Sequence, residues 1–245
     1  MKKLLHTLFI FKIELKLFLI LSLTFILFTI IGTVSHEYGH YFVAKSLGYD
    51  AEVSYGYTNC NDEVARQFMD SVETKYPNKE DFKIDFPEKE KYISVAKKYS
   101  KDYFLITLGG PLQTMITGTL GLLFLYFKKE KFMGSKNNNL LSWLLVFISL
   151  FWLRQLANFL VWIASYFYSG DLSKSMDEIK ATLYLQLPIG TFIFSTALIA
   201  SLVLSFIIFK IIPKEKRITF IAAGLVGGIL GYIFWLILIG PIVMP

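Results

Sequence analysis

His36, Glu37 and His40 are spaced for metal chemistry. They lie in the stretch GTVSHEYGH at 32–40 and match the pattern H-E-x-x-H. On a helix, positions i and i+4 share one face, so both imidazoles can bind one zinc ion. Glu37 then lies beside the metal, placed to take a proton from an attacking water. Two of the three histidines in the chain belong to this motif, and the third, His6, falls in the polar lead-in. The motif closes the apolar run LFLILSLTFILFTII at 17–31. An ionisable group in such a run costs at least ~2.5 kcal/mol on the most lenient insertion scales, so it needs a partner or a function. A pair of hydrogen-bonded histidines facing another helix is the plainer alternative.

The surrounding elements must hold this motif in a membrane. Of 245 residues, 54% are hydrophobic and 18% charged, with 23 Phe and a mean hydropathy of +0.51. A bilayer core of ~30 Å needs spans of roughly 20 apolar residues. Five such spans are predicted, at 17–46, 103–127, 140–167, 189–211 and 218–243. The formal charge of +6 is no argument for nucleic acid, because the basic residues flank the spans. They cluster as Lys2, Lys3, Lys12 and Lys16, as Lys128, Lys129, Lys131 and Lys136, and as Lys210, Lys214, Lys216 and Arg217. By the positive-inside rule these segments, and with them the N-terminus, lie inside, and PIVMP lies outside.

The resulting organisation is a lead-in (1–16), a first span with the motif (17–49), an extramembrane insertion (50–102), two further core spans with a loop (103–188) and two last spans (189–245). Lys12, Glu14 and Lys16 interrupt the basic, apolar start, which reads as an interfacial lead-in to a retained span. The insertion carries twelve of the nineteen acidic residues against nine basic ones, in keeping with an outside position. Its stretches NDEVARQFMDSVETKY and PEKEKYISVAKKYSKDY read as helices joined by a proline-bearing linker, not as a β domain. In the last span Gly224, Gly227, Gly228 and Gly231 give two overlapping G-x-x-x-G spacings that permit close helix packing. The single cysteine, Cys60, makes no internal disulfide.

HEYGH at the end of an early membrane helix resembles the site-2 protease family of intramembrane zinc metalloproteases. LGGPLQT at 108–114 is similar to that family's Gly-Pro-bearing segment, and the resemblance covers roughly 17–180. It implies an all-α polytopic membrane protein with a three-helix core. That core would hold one Zn2+ per chain, with an Asp near the third core helix as last protein ligand. The family's usual third motif, Asn and prolines followed by Asp-Gly, is absent. Instead SYFYSGDLSKSMDEIKATLYLQLP follows the third span, and Asp177, at the start of a short helix, ranks ahead of Asp171. Both also read as solvated loop carboxylates.

Arg154, Gln155 and Asn158 interrupt the third span, with Arg154 and Asn158 on one face. Asn158 stands where the family has its membrane Asn, as a transition-state donor, or else as an inter-helical clamp. Gly109, Gly110 and Pro111 either bend the second span and expose backbone to substrate or simply start a helix. The expected function is an intramembrane zinc endopeptidase acting on a partner's transmembrane segment, in the bilayer of a bacterial cytoplasmic membrane. The competing classes are a metal transporter and a non-proteolytic membrane scaffold.

Overall fold

A computed structural model describes residues 9–77, 86–134 and 140–245, with side chains as far as 127 in the second stretch. Lys2, Lys3 and His6 of the lead-in, the linker at 78–85, and the side chains of the 128–136 basic cluster lie outside the described residues. The chain is mostly helical, and five helices are long and apolar enough to cross a membrane.

Helix α1 spans Leu15–Ser46, and its 32 residues give a rod of about 48 Å, longer than a bilayer core. Its start is tied to the last span, where the Glu14 amide donates to Thr219 Oγ1 at 3.1 Å. Gly48, with φ of +87°, ends the helix and turns the chain into a hairpin. Strands β1 (Asp50–Val53) and β2 (Thr58–Asn61) pair antiparallel, Asp50 opposite Asn61 and Val53 opposite Thr58. Helices form in both stretches expected to be helical, and the hairpin before them is a departure from the expected helical insertion. Four-residue strands are too short for alternation to stand out, and β1 is fixed by packing Tyr49 and Ala51 against Ala44 and Ile106.

Helix α2 (Glu63–Lys75) follows, with Asp62 accepting from the Ala65 amide as its cap. Helix α3 runs without a break over Lys89–Gly134. The second predicted helix of the insertion and the second span are therefore one rod, and LGGPLQT lies inside it. Pro111 removes one intrahelical donor but neither starts nor ends the helix. The third span combines α4 (Leu140–Ser149), a tight turn at Leu150–Trp152 and α5 (Leu153–Ser169). A short helix, α6 (Asp177–Tyr184), precedes α7 (Thr191–Phe206) and α8 (Arg217–Ile233). Wide helical turns extend α7 to Ile211 and α8 to Ile239, and α9 (Gly240–Val243) closes the chain.

Helix α1 lies between α3 and α8, and small residues let both approach. A Cβ on Gly39 would fall 2.5 Å from the Gly109 carbonyl oxygen, and one on Gly109 equally close to that of Gly39. Gly39 therefore serves helix packing. On the other side, Gly227 meets Ser22 and Gly231 meets Thr29, so the 227–231 spacing makes the contact while Gly228 stays open. Phe25, Phe147 and Phe220 then join α1, α4 and α8 in the apolar core.

Candidate metal centre

The end of α1, the middle of α3 and the start of α6 converge on one point. His36 and His40 project from successive turns of α1, 1% and 8% exposed. Asp177 is the first residue of α6, after an extended Met176, which directs its carboxylate at the two rings. His36 Nε2 lies 3.1 Å from Asp177 Oδ2, His40 Nε2 lies 3.2 Å from the same oxygen, and the two Nε2 atoms are 3.2 Å apart. Tetrahedral ligands at zinc distances stand about 3.3 Å from one another, so the three donors are spaced for one small cation.

Supporting contacts agree with that use. His40 Nδ1 donates to the Ile106 carbonyl at 2.7 Å, the shorter of its two backbone contacts, which leaves a lone pair on Nε2. His36 Nδ1 is buried without a hydrogen-bond partner among the described residues. A Cβ on Gly110 would overlap both Nε2 atoms, so the glycine keeps the metal position clear. His36, His40 and Asp177 could thus hold a metal ion.

Asp171 stays apart. It is exposed in the turn after α5, where its carbonyl accepts from Ser169 Oγ at 3.0 Å. Stacking of Tyr184 on Phe104 at 4.2 Å ties α6 to α3 and so fixes Asp177 rather than Asp171 near the rings.

Glu37 is 4% exposed and is held from two sides. Arg154 Nη2 stands 3.8 Å from its Oε1. The Thr58 hydroxyl donates to the Glu37 main-chain carbonyl at 2.8 Å and lies 3.2 Å from Oε2. Asn158 shares the Arg154 face of α5, but its amide donates to Glu178 Oε1 at 2.9 Å. Glu178 is fully buried, and burial raises its carboxyl above the ordinary value against the opposing bond from Asn158. Gln155 turns instead to α3 and donates to Thr114 Oγ1 at 3.4 Å.

Sequence reasoning missed two of these groups. Thr58 sits in a polar strand with no motif around it, and nothing in the sequence points to it. Glu178 had a signal in its place beside Asp177, yet only the fold shows that it is buried against Asn158. A cavity of about 500 Å³ opens over the site, bounded by Thr58 and Cys60 of β2, Tyr103 and Thr107 of α3, and Arg154 and Asn158 of α5.

The fold and site define a helical chain, with five helices long and apolar enough to cross a membrane, that brings two buried histidines and a half-buried carboxylate together at the floor of a polar cavity. No family model matches this chain, and neither a curated protein nor a solved structure does.

Proposed function

We propose that the protein is an intramembrane zinc endopeptidase that hydrolyses peptide bonds in or near transmembrane segments of other membrane proteins. The observation that carries this reading is the donor triangle of His36, His40 and Asp177 with Glu37 beside it, on a cavity large enough for several residues of peptide. Two nitrogens and a carboxylate oxygen in near-tetrahedral spacing suit zinc and leave one position open. Bound there, the ion would supply Lewis acidity and make water nucleophilic near neutral pH.

The chain's own groups carry the proton and the charge. Glu37 takes the proton from the attacking water and passes it to the leaving amine. Arg154, the cation nearest Glu37, faces the same cavity and is placed to stabilise negative charge developing on the carbonyl oxygen. Asn158 braces α6 through Glu178 and so keeps Asp177 aimed at the histidines. A helical substrate has its carbonyls paired, so it must unwind before attack. The outer edge of β2, which has no strand partner among the described residues, runs along the cavity and suits an extended segment.

The membrane setting supports the same reading. A second hollow, an apolar groove of about 480 Å³ between α1, α5 and α8, shares Arg154 with the polar cavity. It offers a transmembrane segment a path from lipid to the site. A bacterial cytoplasmic membrane with the N-terminus inside remains part of the proposal.

Zinc stoichiometry in the detergent-purified chain tests the centre. About one zinc per chain, lost in Asp177→Ala and kept in Asp171→Ala, is the expected result. A parent that takes up no zinc when it is supplied would refute the reading.

A further inference from the structure

The last span carries no residue of the metal centre, yet its end grips the hairpin that reaches it. The grip is made on the turn between β1 and β2. Trp235 Nε1 donates to the Tyr55 carbonyl at 2.7 Å, and the Tyr55 amide donates to the Met244 carbonyl at 3.0 Å. Ser54 Oγ donates to the Pro245 carbonyl at 3.0 Å. Both polar groups of the Tyr55 main chain are therefore taken by this one element. Contact is close as well. A Cβ on Gly240 would fall 2.7 Å from the Tyr55 Cβ, and one on Gly56 would fall 2.9 Å from Leu236.

The turn closes on itself through the Ser54 amide, which donates to the Tyr57 carbonyl at 2.9 Å. Thr58 follows immediately, paired with Val53, and it is the residue whose hydroxyl touches Glu37. Helix α1 fixes the Glu37 backbone, but a carboxylate on two methylenes keeps its own rotamers. Among the described residues Thr58 and the more distant Arg154 contact it, and Thr58 makes the shorter contact.

We propose that Thr58 is a positioning residue for the general base Glu37, and that the end of the last span, acting through Trp235 and Tyr55, holds Thr58 in place. The proposal rests on the endopeptidase reading for its catalytic part, while the coupling of span to hairpin stands without it. The last span then works as a backstop, and the hairpin transmits its position to the carboxylate. A residue that acts through Glu37 affects the chemical step and not substrate affinity, so turnover falls at constant KM.

Two measurements on the zinc-loaded full chain in detergent test this. In hydrogen exchange read by mass spectrometry, Trp235→Phe keeps an aromatic side chain, smaller than the indole, and removes the donor. Exchange of the 54–61 amides should rise about tenfold, the value of one lost hydrogen bond, while segments of α1 and α3 stay as in the parent. Gly240→Ala, whose Cβ would crowd the Trp235 carbonyl and the Tyr55 side chain together, serves as the second variant. Unchanged exchange at the hairpin in both would overturn the coupling.

The second measurement is turnover of fluorescein-labelled β-casein. Thr58→Val should lower kcat about tenfold with KM and zinc content unchanged, and Thr58→Ser should restore it. Trp235→Phe should also slow turnover, and the double variant should be no slower than Thr58→Val alone. Parent-like kcat in Thr58→Val, or additive losses in the double variant, would sink the inference alone. A zinc-bearing parent that leaves casein intact would sink the endopeptidase reading and Thr58's catalytic role together, with the exchange data still judging the coupling.

Discussion

Two hollows of nearly equal volume, about 500 and about 480 Å³, meet at Arg154 and differ in their walls. The first is walled by the hairpin, α3, α5 and α6, and it presents two carboxylates, two amides and hydroxyls around the donor triangle. The second is walled by α1, α5 and α8 with Phe25, Phe28, Phe151, Leu160, Leu225 and Ile229. Polar side chains of the first hollow are tied to one another in pairs, as Asn158 is to Glu178 and Thr58 to Glu37. Apolar walls bring no such ties and accept many shapes. On the proposed endopeptidase reading, the first hollow would serve chemistry and the second the passage of a lipid-soluble segment, with Arg154 lining both.

The comparison is most easily broken at the floor of the polar hollow. Gly110→Ala puts a methyl where the metal belongs, and zinc should fall from about one per chain to background, as read by elemental analysis. Retained zinc would mean that the triangle opens more freely than its spacing suggests. Next comes the shared wall. Arg154→Met should keep zinc and lower casein turnover about a hundredfold, the loss seen when a transition-state donor is removed. Lysine at the same place should rescue little, because an ammonium is a compact point charge without the planar array of donors a guanidinium carries.

Asn158→Leu strips the partner from a fully buried carboxyl and should cost about 1–3 kcal/mol of stability, visible as a lower thermal midpoint. Zinc should also bind about tenfold more weakly, since Asp177 loses its brace. Glu178 supplies a pH signature. Its raised carboxyl keeps a proton in the folded chain where the unfolded chain has released it. Stability should therefore decline as pH climbs from the ordinary 4.5 through the folded value, and Glu178→Gln should flatten that decline. A slope of the opposite sign would place the carboxylate in a charged partnership.

The smallest effect belongs to the apolar hollow. Gly228 has open space around it, so Gly228→Leu fills the groove without a clash. Cleavage of a single-span reporter in vesicles should slow by up to about tenfold, the order of one lost leucine-sized contact, while casein turnover stays unchanged. Equal slowing of both substrates would merge the two hollows into one path.

Much of this plan was legible before any coordinates. The five spans follow from apolar length alone, and the H-E-x-x-H face from helical period. Asp177 ranks ahead of Asp171 because it begins a short helix, which resembles an aspartate at a helix start beside a zinc ion, and the fold brings it to the rings. Local signals misled at Gly109-Gly110-Pro111, which suggest a break yet lie within a 46-residue helix. There the gain from packing Gly109 on Gly39 and Gly110 on the histidines overrides propensity. The hairpin went unseen for a different reason. Its strands are held by contacts with α1, α3 and the last span, all distant in sequence. Thr58 was invisible along with it.

Helix α3 carries a consequence for how this protein can change. It is a single shaft of about 69 Å, anchored at Gly109 and Gly110 against α1 and extending back to Lys89. One residue gained or lost between Lys89 and the level of Tyr99 would swing everything attached to the outer end by about 100° while leaving the anchored part in register. The outer segment can thus be re-aimed in discrete steps, as a key is cut anew on an unchanged stem. A lineage that diverges in what it engages outside the bilayer can do so by insertions in this shaft, with the buried machinery untouched.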